Sequence, residues 1–224
     1  MTVRVLIGCE HTGSVRRAFR ERGHDAWSCD LLPSSDGEGH HLQCDVLTIL
    51  RDGWDLAIFH PDCTYLTSSA EWAYKDGPYH MKLKPGTLTG EARRKARKQA
   101  VDFVRLLLDA PIPRIAIENP VGHLSRAIGK PQQVIQPWMF GDDASKATCL
   151  WLKGLPPLEP TRIVEPRNVW GRPRWANQTD GGQNRLTPSA DRWALRAATY
   201  PGIAAAFATQ WTAWRSPCFC RPAG

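Results

Sequence analysis

Short apolar runs alternate with helix-like segments in this chain, and that alternation constrains its fold more than any other feature. Residues 3–8 (VRVLIG) form a β-branched run that ends at a glycine, and a helical pattern follows over 15–23. Further strands are predicted over 24–33, 56–59, 113–120 and 147–152, and further helices over 91–109 and 199–214. This order predicts an α/β fold with a mostly parallel, doubly wound sheet.

The charge of the chain is concentrated toward its C-terminus. The 224 residues contain 29 Lys and Arg against 22 Asp and Glu, a net charge of +7, of which +6 falls in residues 151–224. That segment also contains several tryptophans. A basic, Trp-rich segment is typical of a surface that binds a polyanion, although a solvated Arg-rich face over a Trp-containing core explains the composition equally well.

Composition also indicates where such a protein works. A hydrophobic fraction of 42% is that of a globular protein, and the sequence has neither a long apolar run nor a signal-peptide pattern, so no membrane association is predicted. An odd number of cysteines without paired metal-type spacing argues against disulfides and favours a reducing, cytoplasmic setting. The pair Cys218 and Cys220 supplies only two ligands, so no metal site is predicted. The seven cysteines are Cys9, Cys29, Cys44, Cys63, Cys149, Cys218 and Cys220.

Polar residues cluster where the predicted strands end, which is where open α/β sheets bind ligands. The turn after the first strand contains glycines but neither a G-x-G-x-x-G pattern nor a P-loop lysine, which weakens dinucleotide and triphosphate interpretations. Cys63 follows a buried strand. At that position it is interpreted either as a nucleophilic thiolate or as a buried structural cysteine. Glu118 follows the neighbouring strand and should lie beside it. The strand-end residues are Glu10, Gly13, Asp30, Asp45, Cys63 and Glu118.

The order of motifs resembles that of the DNA cytosine carbon-5 methyltransferases, in a compact form found in phage genomes. The motifs are IGCEHTG, SCDLLP, QCDV, HPDCTYL, IENP, GDDASKATCLWLKG and YPGIAAAFATQW, and they extend over most of residues 3–211. The resemblance implies a Rossmann-like fold that binds S-adenosylmethionine, with Cys63 as the nucleophile and Glu118 as the catalytic acid. It implies cofactor contacts from Gly8, Glu10, Gly13, Asp30, Asp45 and Pro61, with Asp30 at the ribose and Asp45 near the adenine.

Several positions depart from that family. The usual Pro-Pro-Cys-Gln is Pro61-Asp62-Cys63-Thr64, and Ser145, Lys146 and Thr148 stand where the family has Gln-x-Arg-x-Arg. Residues 64–90 form a long loop that we expect to close over a flipped base. Asn119 and Lys146 are expected to contact the base or its phosphate.

The predicted domain organisation is unusual for that family. Residues 1–155 and 197–214 would form the catalytic domain, 156–196 a short basic insertion in place of a target-recognition domain, and 215–224 a tail. DNA contacts are predicted from Arg167, Arg172, Arg174, Arg185 and Arg192 with Trp170 and Trp175. A second basic patch, which is equally well explained as a solvated helix face, comprises Arg93, Arg94, Lys95, Arg97 and Lys98.

Three alternatives remain open on the sequence. The first is a pyrimidine nucleotide-modifying enzyme, which would not need a recognition domain. The second is an amino-methyltransferase, since His60-Pro61-Asp62 occupies the strand end where such enzymes have an Asn/Asp-Pro-Pro-aromatic motif. The third is a non-catalytic DNA-binding relative or partner subunit, which the altered base-contact motif favours.

Overall fold

The computed structural model describes residues 2–68, 70–79, 83–187, 189 and 192–213, without the side chains at positions 193 and 194. Its centre is a seven-stranded sheet in the order β3-β2-β1-β4-β5-β7-β6. Only β7 runs antiparallel to its two neighbours, β5 and β6. The prediction of a Rossmann-like, mostly parallel α/β fold is confirmed. The strands are β1 Arg4–Gly8, β2 Asp25–Asp30, β3 His41–Gln43, β4 Leu56–Phe59, β5 Ile115–Pro120, β6 Gln133–Ile135 and β7 Thr148–Lys153.

Helices cover both faces of this sheet because its central strands are apolar on both sides. On one face α1 (Ser14–Arg20) and α5 (Pro201–Ala213) pack against alternate strand residues such as Val5 and Ile7. On the other face α2 (Gly90–Leu108) packs through Val104 and Leu107. Two short helices, α3 (Leu124–Ala127) and α4 (Arg192–Ala197), belong to connections. The order of strands reverses between β1 and β4, so their carboxyl ends flank a crevice.

The basic insertion contains a two-stranded sheet of its own. It contains a hairpin of β8 (Arg167–Val169) and β9 (Arg172–Arg174), whose register pairs Arg167 with Arg174. Trp175, after β9, stacks on Trp138 with ring centroids 5.5 Å apart, and the Asn177 side chain exchanges hydrogen bonds with the backbone of Ser145. The hairpin is therefore joined to the segment that precedes β7.

The described residues contain neither a membrane-spanning helix nor a cluster of metal ligands. None of the described helices is long and apolar enough to cross a membrane. Within the described ranges, no three His, Cys, Asp or Glu side chains are grouped to hold a metal ion. The predicted tail, with Cys218 and Cys220, lies outside the described residues.

Candidate active site

A cavity of about 140 Å³ lies at the carboxyl ends of β1, β4 and β5. Both residues predicted to be catalytic, Cys63 and Glu118, line it. Segments far apart in the sequence meet here because parallel strands end at the same edge of the sheet. The walls comprise Cys9, Glu10, His11, Thr12, His60, Pro61, Asp62, Cys63, Glu118, Asn119, Pro120, Lys146, Arg196, Ala197 and Thr199.

Cys63 is held in a tight turn that follows β4. Asp62 Oδ1 accepts hydrogen bonds from the backbone nitrogen and the hydroxyl of Thr64, at 2.9 and 2.7 Å. Asn119 Nδ2 donates to the Pro61 carbonyl at 2.8 Å, which fixes this turn against the end of β5. Burial, followed by the charges of Asp62 and Glu118, raises the pKa of the Cys63 thiol, and Lys146 only partly offsets this. The free site therefore keeps Cys63 mainly as a thiol at neutral pH.

Glu118 is paired with His60, which is not among the predicted site residues. His60 Nδ1 lies 3.2 Å from Glu118 Oε2, and the two side chains are only 10% and 13% exposed. Burial raises the pKa of Glu118, but the hydrogen bond and charge of His60, the charge of Lys146 and a hydrogen bond with Thr148 together hold it below its ordinary value. Glu118 is thus a carboxylate at neutral pH.

The turn between β1 and α1 has an unusual backbone. Cys9 has a φ of 60°, a left-handed conformation that a non-glycine residue rarely adopts. Burial and the charges of Asp30, Asp45 and Asp62 raise the pKa of Cys9 to about 12. A buried structural role is the expectation for such a cysteine, but Cys9 is half-buried and lines the cavity. Such strain at a cavity wall is typical of functional sites.

The other residues of this turn have structural partners. The Glu10 carboxylate accepts hydrogen bonds from the backbone nitrogens of Val15 and Arg16, at 2.7 and 3.3 Å, and so caps α1. Burial raises the pKa of Glu10, against the lowering effect of His60, these two amides and the Arg16 charge. A side chain at Gly8 would overlap Phe59, and one at Gly13 would overlap Asp36. Both glycines are accounted for by close packing.

The remaining predicted cofactor contacts lie along the same edge of the sheet. Asp30 ends β2, and its Oδ1 accepts a hydrogen bond from the Leu32 backbone nitrogen at 2.9 Å. Asp45 is exposed beyond β3, and its Oδ1 accepts from the Leu47 nitrogen at 3.0 Å. Pro61 is buried in the cavity wall.

Lys146 closes the opposite side of the cavity. Its Nζ donates to the carbonyls of Arg196 and Ala198, at 2.8 and 3.4 Å. Lys146 therefore holds the connection between α4 and α5 against the site, which brings Arg196 and Thr199 into the wall. No sequence signal points to these two residues, because their segment has no clear periodicity. The position of His60 directly after the buried strand β4 could have indicated from the sequence that it belongs to the site.

The basic residues of the insertion are only partly available for contacts. Arg167 Nη1 pairs with Asp180 at 2.6 Å, and Arg174 Nε donates to the Asp180 carbonyl at 3.0 Å. Arg185 lines a second cavity of about 330 Å³ that shares Thr199 with the first. Arg192 lies in α4, and its Nε is buried without a hydrogen-bond partner among the described residues. Arg172 is exposed beside the hairpin turn, where Trp170 is 84% exposed, whereas the Trp175 ring is half-buried against Trp138.

Most of the basic patch on α2 is in contact with the long loop. Arg93 is only 7% exposed, and its guanidinium carbon lies 4.8 Å from the centroid of the Tyr74 ring, while that of Arg97 lies 3.3 Å from the same centroid. Arg94 donates to the Tyr74 carbonyl at 2.8 Å, and Lys98 pairs with Asp102. The loop contains a short 3-10 helix, Glu71–Tyr74. Three of the five basic residues of the patch thus fasten this part of the loop; Lys95 is exposed.

Comparison with known proteins yields distant structural likenesses. No family model and no curated protein matches the sequence. The chain is similar to a crystal structure from E. coli described as a "putative DNA modification methyltransferase encoded within prophage", with 13% identity and a TM-score of 0.44. The match covers 76% of this chain and 54% of that chain, so this chain spans about half the length of that neighbour. So distant a likeness bears on neither activity nor substrate.

Proposed function

We propose that this protein is a DNA (cytosine-5-)-methyltransferase, which transfers a methyl group from S-adenosylmethionine to carbon 5 of cytosine through a covalent adduct with Cys63. The observation that carries this proposal is that Cys63 and Glu118 line one cavity at neighbouring strand ends. Carbon 5 of cytosine is a weak nucleophile. A thiolate that adds to carbon 6, with an acid at the ring nitrogen, turns the ring into an enamine that is reactive at carbon 5.

The residues along the sheet edge fit the implied cofactor chemically. A nucleoside has hydroxyl and amine donors, and Asp30 and Asp45 place carboxylate acceptors at successive strand ends near the strained turn at Cys9. When bound, S-adenosylmethionine supplies the methyl group. Asp30 and Asp45 would hold and orient it, while Pro61 and Asn119 keep the Cys63 turn in place.

DNA is the proposed partner because the basic residues lie on the segment that adjoins the cavity. Lys146 borders the cavity, and the Trp175 and Asn177 contacts join the β8–β9 hairpin to the same segment. Positive charge beside a small polar cavity suits a nucleotide whose phosphates remain outside. A base taken from a duplex would reach Cys63 only after it leaves the stack.

One observation favours a second candidate, an amino-methyltransferase. Such an enzyme has no need of a thiolate, and the pKa of Cys63 is raised by burial and by Asp62 and Glu118. The sequence His60-Pro61-Asp62 also stands at the required strand end. Cys63 would take no part in that reaction.

The deciding experiment identifies the methylated product. The protein is incubated with labelled S-adenosylmethionine and cytosine-containing DNA, and the DNA is digested to nucleosides for mass spectrometry. We expect 5-methyl-2′-deoxycytidine from the wild type and none from Cys63→Ala, while Cys44→Ala, which changes a half-buried thiol away from the cavity, retains activity. DNA containing 5-fluorocytosine should become covalently attached to the wild type and to Cys44→Ala only.

Other products would contradict the proposal in distinguishable ways. A methylated exocyclic amine that persists in Cys63→Ala would establish the amino-methyltransferase. Methylation of free pyrimidine nucleotides but not of DNA would indicate a nucleotide-modifying enzyme. DNA binding without methylation or trapping would indicate a non-catalytic relative.

A further inference from the structure

His60 is half-buried in the cavity wall, next to the acidic residue Glu118. Its backbone nitrogen donates to the Gly8 carbonyl at 3.0 Å, which fixes the residue beside the end of β1. Its Nδ1 lies 3.2 Å from Glu118 Oε2. The other ring nitrogen, Nε2, is buried and has no hydrogen-bond partner in the part of the chain that the structure describes. Filling space does not require an imidazole with one nitrogen bonded to a carboxylate and the other unpaired.

The proposed reaction needs a proton that Glu118 does not hold. Glu118 is ionised at neutral pH, because His60, Lys146 and Thr148 outweigh the effect of its burial and lower its pKa. The ring nitrogen of cytosine must nevertheless gain a proton, or a full hydrogen bond, as the thiolate adds. A group that can carry that proton is in contact with Glu118, since His60 Nδ1 lies 3.2 Å from Glu118 Oε2.

We propose that His60 holds this proton, and that the His60–Glu118 pair, instead of Glu118 alone, protonates the ring nitrogen of the base as Cys63 adds to carbon 6. This inference rests on the proposed function. It makes His60 a positioning and proton-storing residue, because it acts through Glu118. Glu118 remains the residue that touches the base.

The step starts from the thiolate fraction of Cys63, whose proton has gone to solvent, and from there it balances without any further reactant. The sulfur electron pair forms the bond to carbon 6, the carbon 5–carbon 6 pair shifts to carbon 4–carbon 5, and the nitrogen 3–carbon 4 pair takes a proton at nitrogen 3. Glu118, a carboxylate at the start, receives the His60 proton across the Nδ1–Oε2 hydrogen bond and passes a proton to nitrogen 3. His60 ends neutral and Glu118 ends as a carboxylate. The proton returns along the same path when Cys63 is eliminated.

Charged groups of both signs share the cavity with His60. Negative charge comes from Glu118 on β5, from Glu10 in the β1–α1 turn and from Asp62 on its own segment. Positive charge comes from Lys146 before β7 and from Arg196 in α4, while Cys9, His11 and Cys63 are titratable neighbours.

The test uses a substitution of His60 that keeps the hydrogen bond to Glu118 but removes the group that can bind and release a proton. In His60→Asn the side-chain Nδ2 can replace Nδ1 as a donor to Glu118, but it cannot store a proton. His60→Gln serves as a second variant with a longer amide. The matched control is His24→Asn, because His24 Nδ1 accepts from the Val3 backbone nitrogen far from the cavity. Thermal melting confirms that each variant is folded.

Two rates are measured between about pH 5 and pH 9, a range that brackets the ordinary histidine pKa. One is the formation of 5-methylcytosine. The other is the exchange of the carbon 5 hydrogen of cytosine in DNA with deuterated water without cofactor, which reports adduct formation alone. We expect His60→Asn to lower both rates by about 100-fold at neutral pH, a typical contribution of acid–base catalysis.

The pH profile separates a proton store from a merely structural histidine. As the pH falls, the thiolate fraction of Cys63 falls, which lowers the rate. The protonated fraction of His60 rises at the same time and offsets that loss of rate until His60 is fully protonated. The wild-type profile then breaks downward. In His60→Asn the compensation comes from Glu118 itself, so the break moves to more acid pH, while His24→Asn matches the wild type.

Two results would overturn the inference, and only the second would also overturn the proposed function. A His60→Asn profile with the wild-type breaks shows that His60 only supports the structure, and it leaves the proposed function intact. A wild type that makes no 5-methylcytosine and exchanges no carbon 5 hydrogen removes the proposed function and this inference together.

Discussion

The Arg16 side chain holds two neighbouring loops of the fold together. It is fully buried at the start of α1, where Nη1 donates to Ser28 Oγ at 2.9 Å and Nη2 pairs with Asp36 at 2.5 Å. Asp36 lies in the loop after β2 and also contacts Arg17. The same carboxylate lies against Gly13, where a Cβ atom would collide with it. One ion pair therefore joins the turn after β1 to the loop after β2.

Replacing Asp36 with Asn should be severely destabilising, because it leaves the buried Arg16 charge without its main partner. We expect a loss of about 3–5 kcal/mol in the free energy of unfolding, the usual effect of breaking a buried pair. The check is urea denaturation of Asp36→Asn beside Asp102→Asn. Asp102 also pairs with two cations, Lys98 and Arg105, but on an exposed helix face, so its variant should match the wild type.

The same pair predicts how stability depends on acid. Burial raises the pKa of Asp36, but the hydrogen bonds of Ser34, Arg16 and Glu38 and the Arg16 charge hold it well below its ordinary value. The stabilisation is therefore complete above the ordinary aspartate pKa of about 3.9 and is lost as the pH falls below it. Asp36→Asn should lose less stability than the wild type between about pH 4 and pH 2. Parallel curves for the two proteins in that range would contradict this assignment.

At the scale of elements, the sequence predicted the long and strongly patterned ones. The strand Leu56–Phe59 has its predicted bounds, and α2 differs from its predicted range by one residue at each end. β3 and β6 were not predicted, because each has three residues, too few for alternation to be visible. The β8–β9 hairpin was also not predicted. Its turn is formed by Trp170 and Gly171, both with positive φ, and Trp is not a residue that signals such a turn.

The hairpin supports a prediction about DNA binding. Trp170 is 84% exposed at the turn despite a strained φ of 52°, and no contact within the described residues accounts for a ring there. Arg172 is exposed next to it. An aromatic ring beside a cation can stack on an unpaired base. We expect Trp170→Ala to weaken DNA binding by about 1–3 kcal/mol, or roughly 5- to 150-fold, and Trp170→Phe to recover most of that loss.

Arg172→Ala should instead reduce the salt dependence of binding, lowering the slope of log K against log salt by about 1. Fluorescence anisotropy with labelled DNA at several salt concentrations measures both effects. Leu106→Ala and Arg51→Ala, exposed apolar and basic positions outside the insertion, are the controls. Equal effects from these controls would show that the hairpin has no special part in binding. Melting temperatures should not change, because Trp170 and Arg172 bury little surface.

At the scale of the whole molecule, the sequence predicted the strand-end wall of the cavity better than the opposite wall. Strand-end positions such as Cys63 and Glu118 follow from topology, since parallel strands end together. Lys146, Arg196 and Thr199 come from connections without periodicity, and only tertiary packing brings the last two to the site. The His60–Glu118 contact likewise depends on side-chain packing across two strands.

The last helix of the described residues packs against the first one. α5 packs against α1, with Phe207 and Trp211 fully buried and stacked at 4.5 Å between ring centroids. Trp211 Nε1 donates to the Pro156 carbonyl at 3.0 Å, and its own carbonyl accepts from Arg114 at 3.2 Å. The core therefore requires residues from both ends of the described chain. Folding should be a single cooperative event that includes α5.

Trp211→Ala tests that cooperativity. Removing a fully buried Trp should cost about 3–5 kcal/mol, which is a large share of the roughly 5–15 kcal/mol that stabilises an ordinary domain. Urea unfolding is followed by far-ultraviolet circular dichroism and by the reactivity of Cys149, a buried cysteine of β7 on the other face of the sheet. The two curves should coincide at a lower midpoint, whereas Thr209→Ala, on the exposed side of α5, should stay near the wild type. Loss of helix signal before Cys149 becomes reactive would show that α5 detaches from an intact sheet, and that the core does not depend on it.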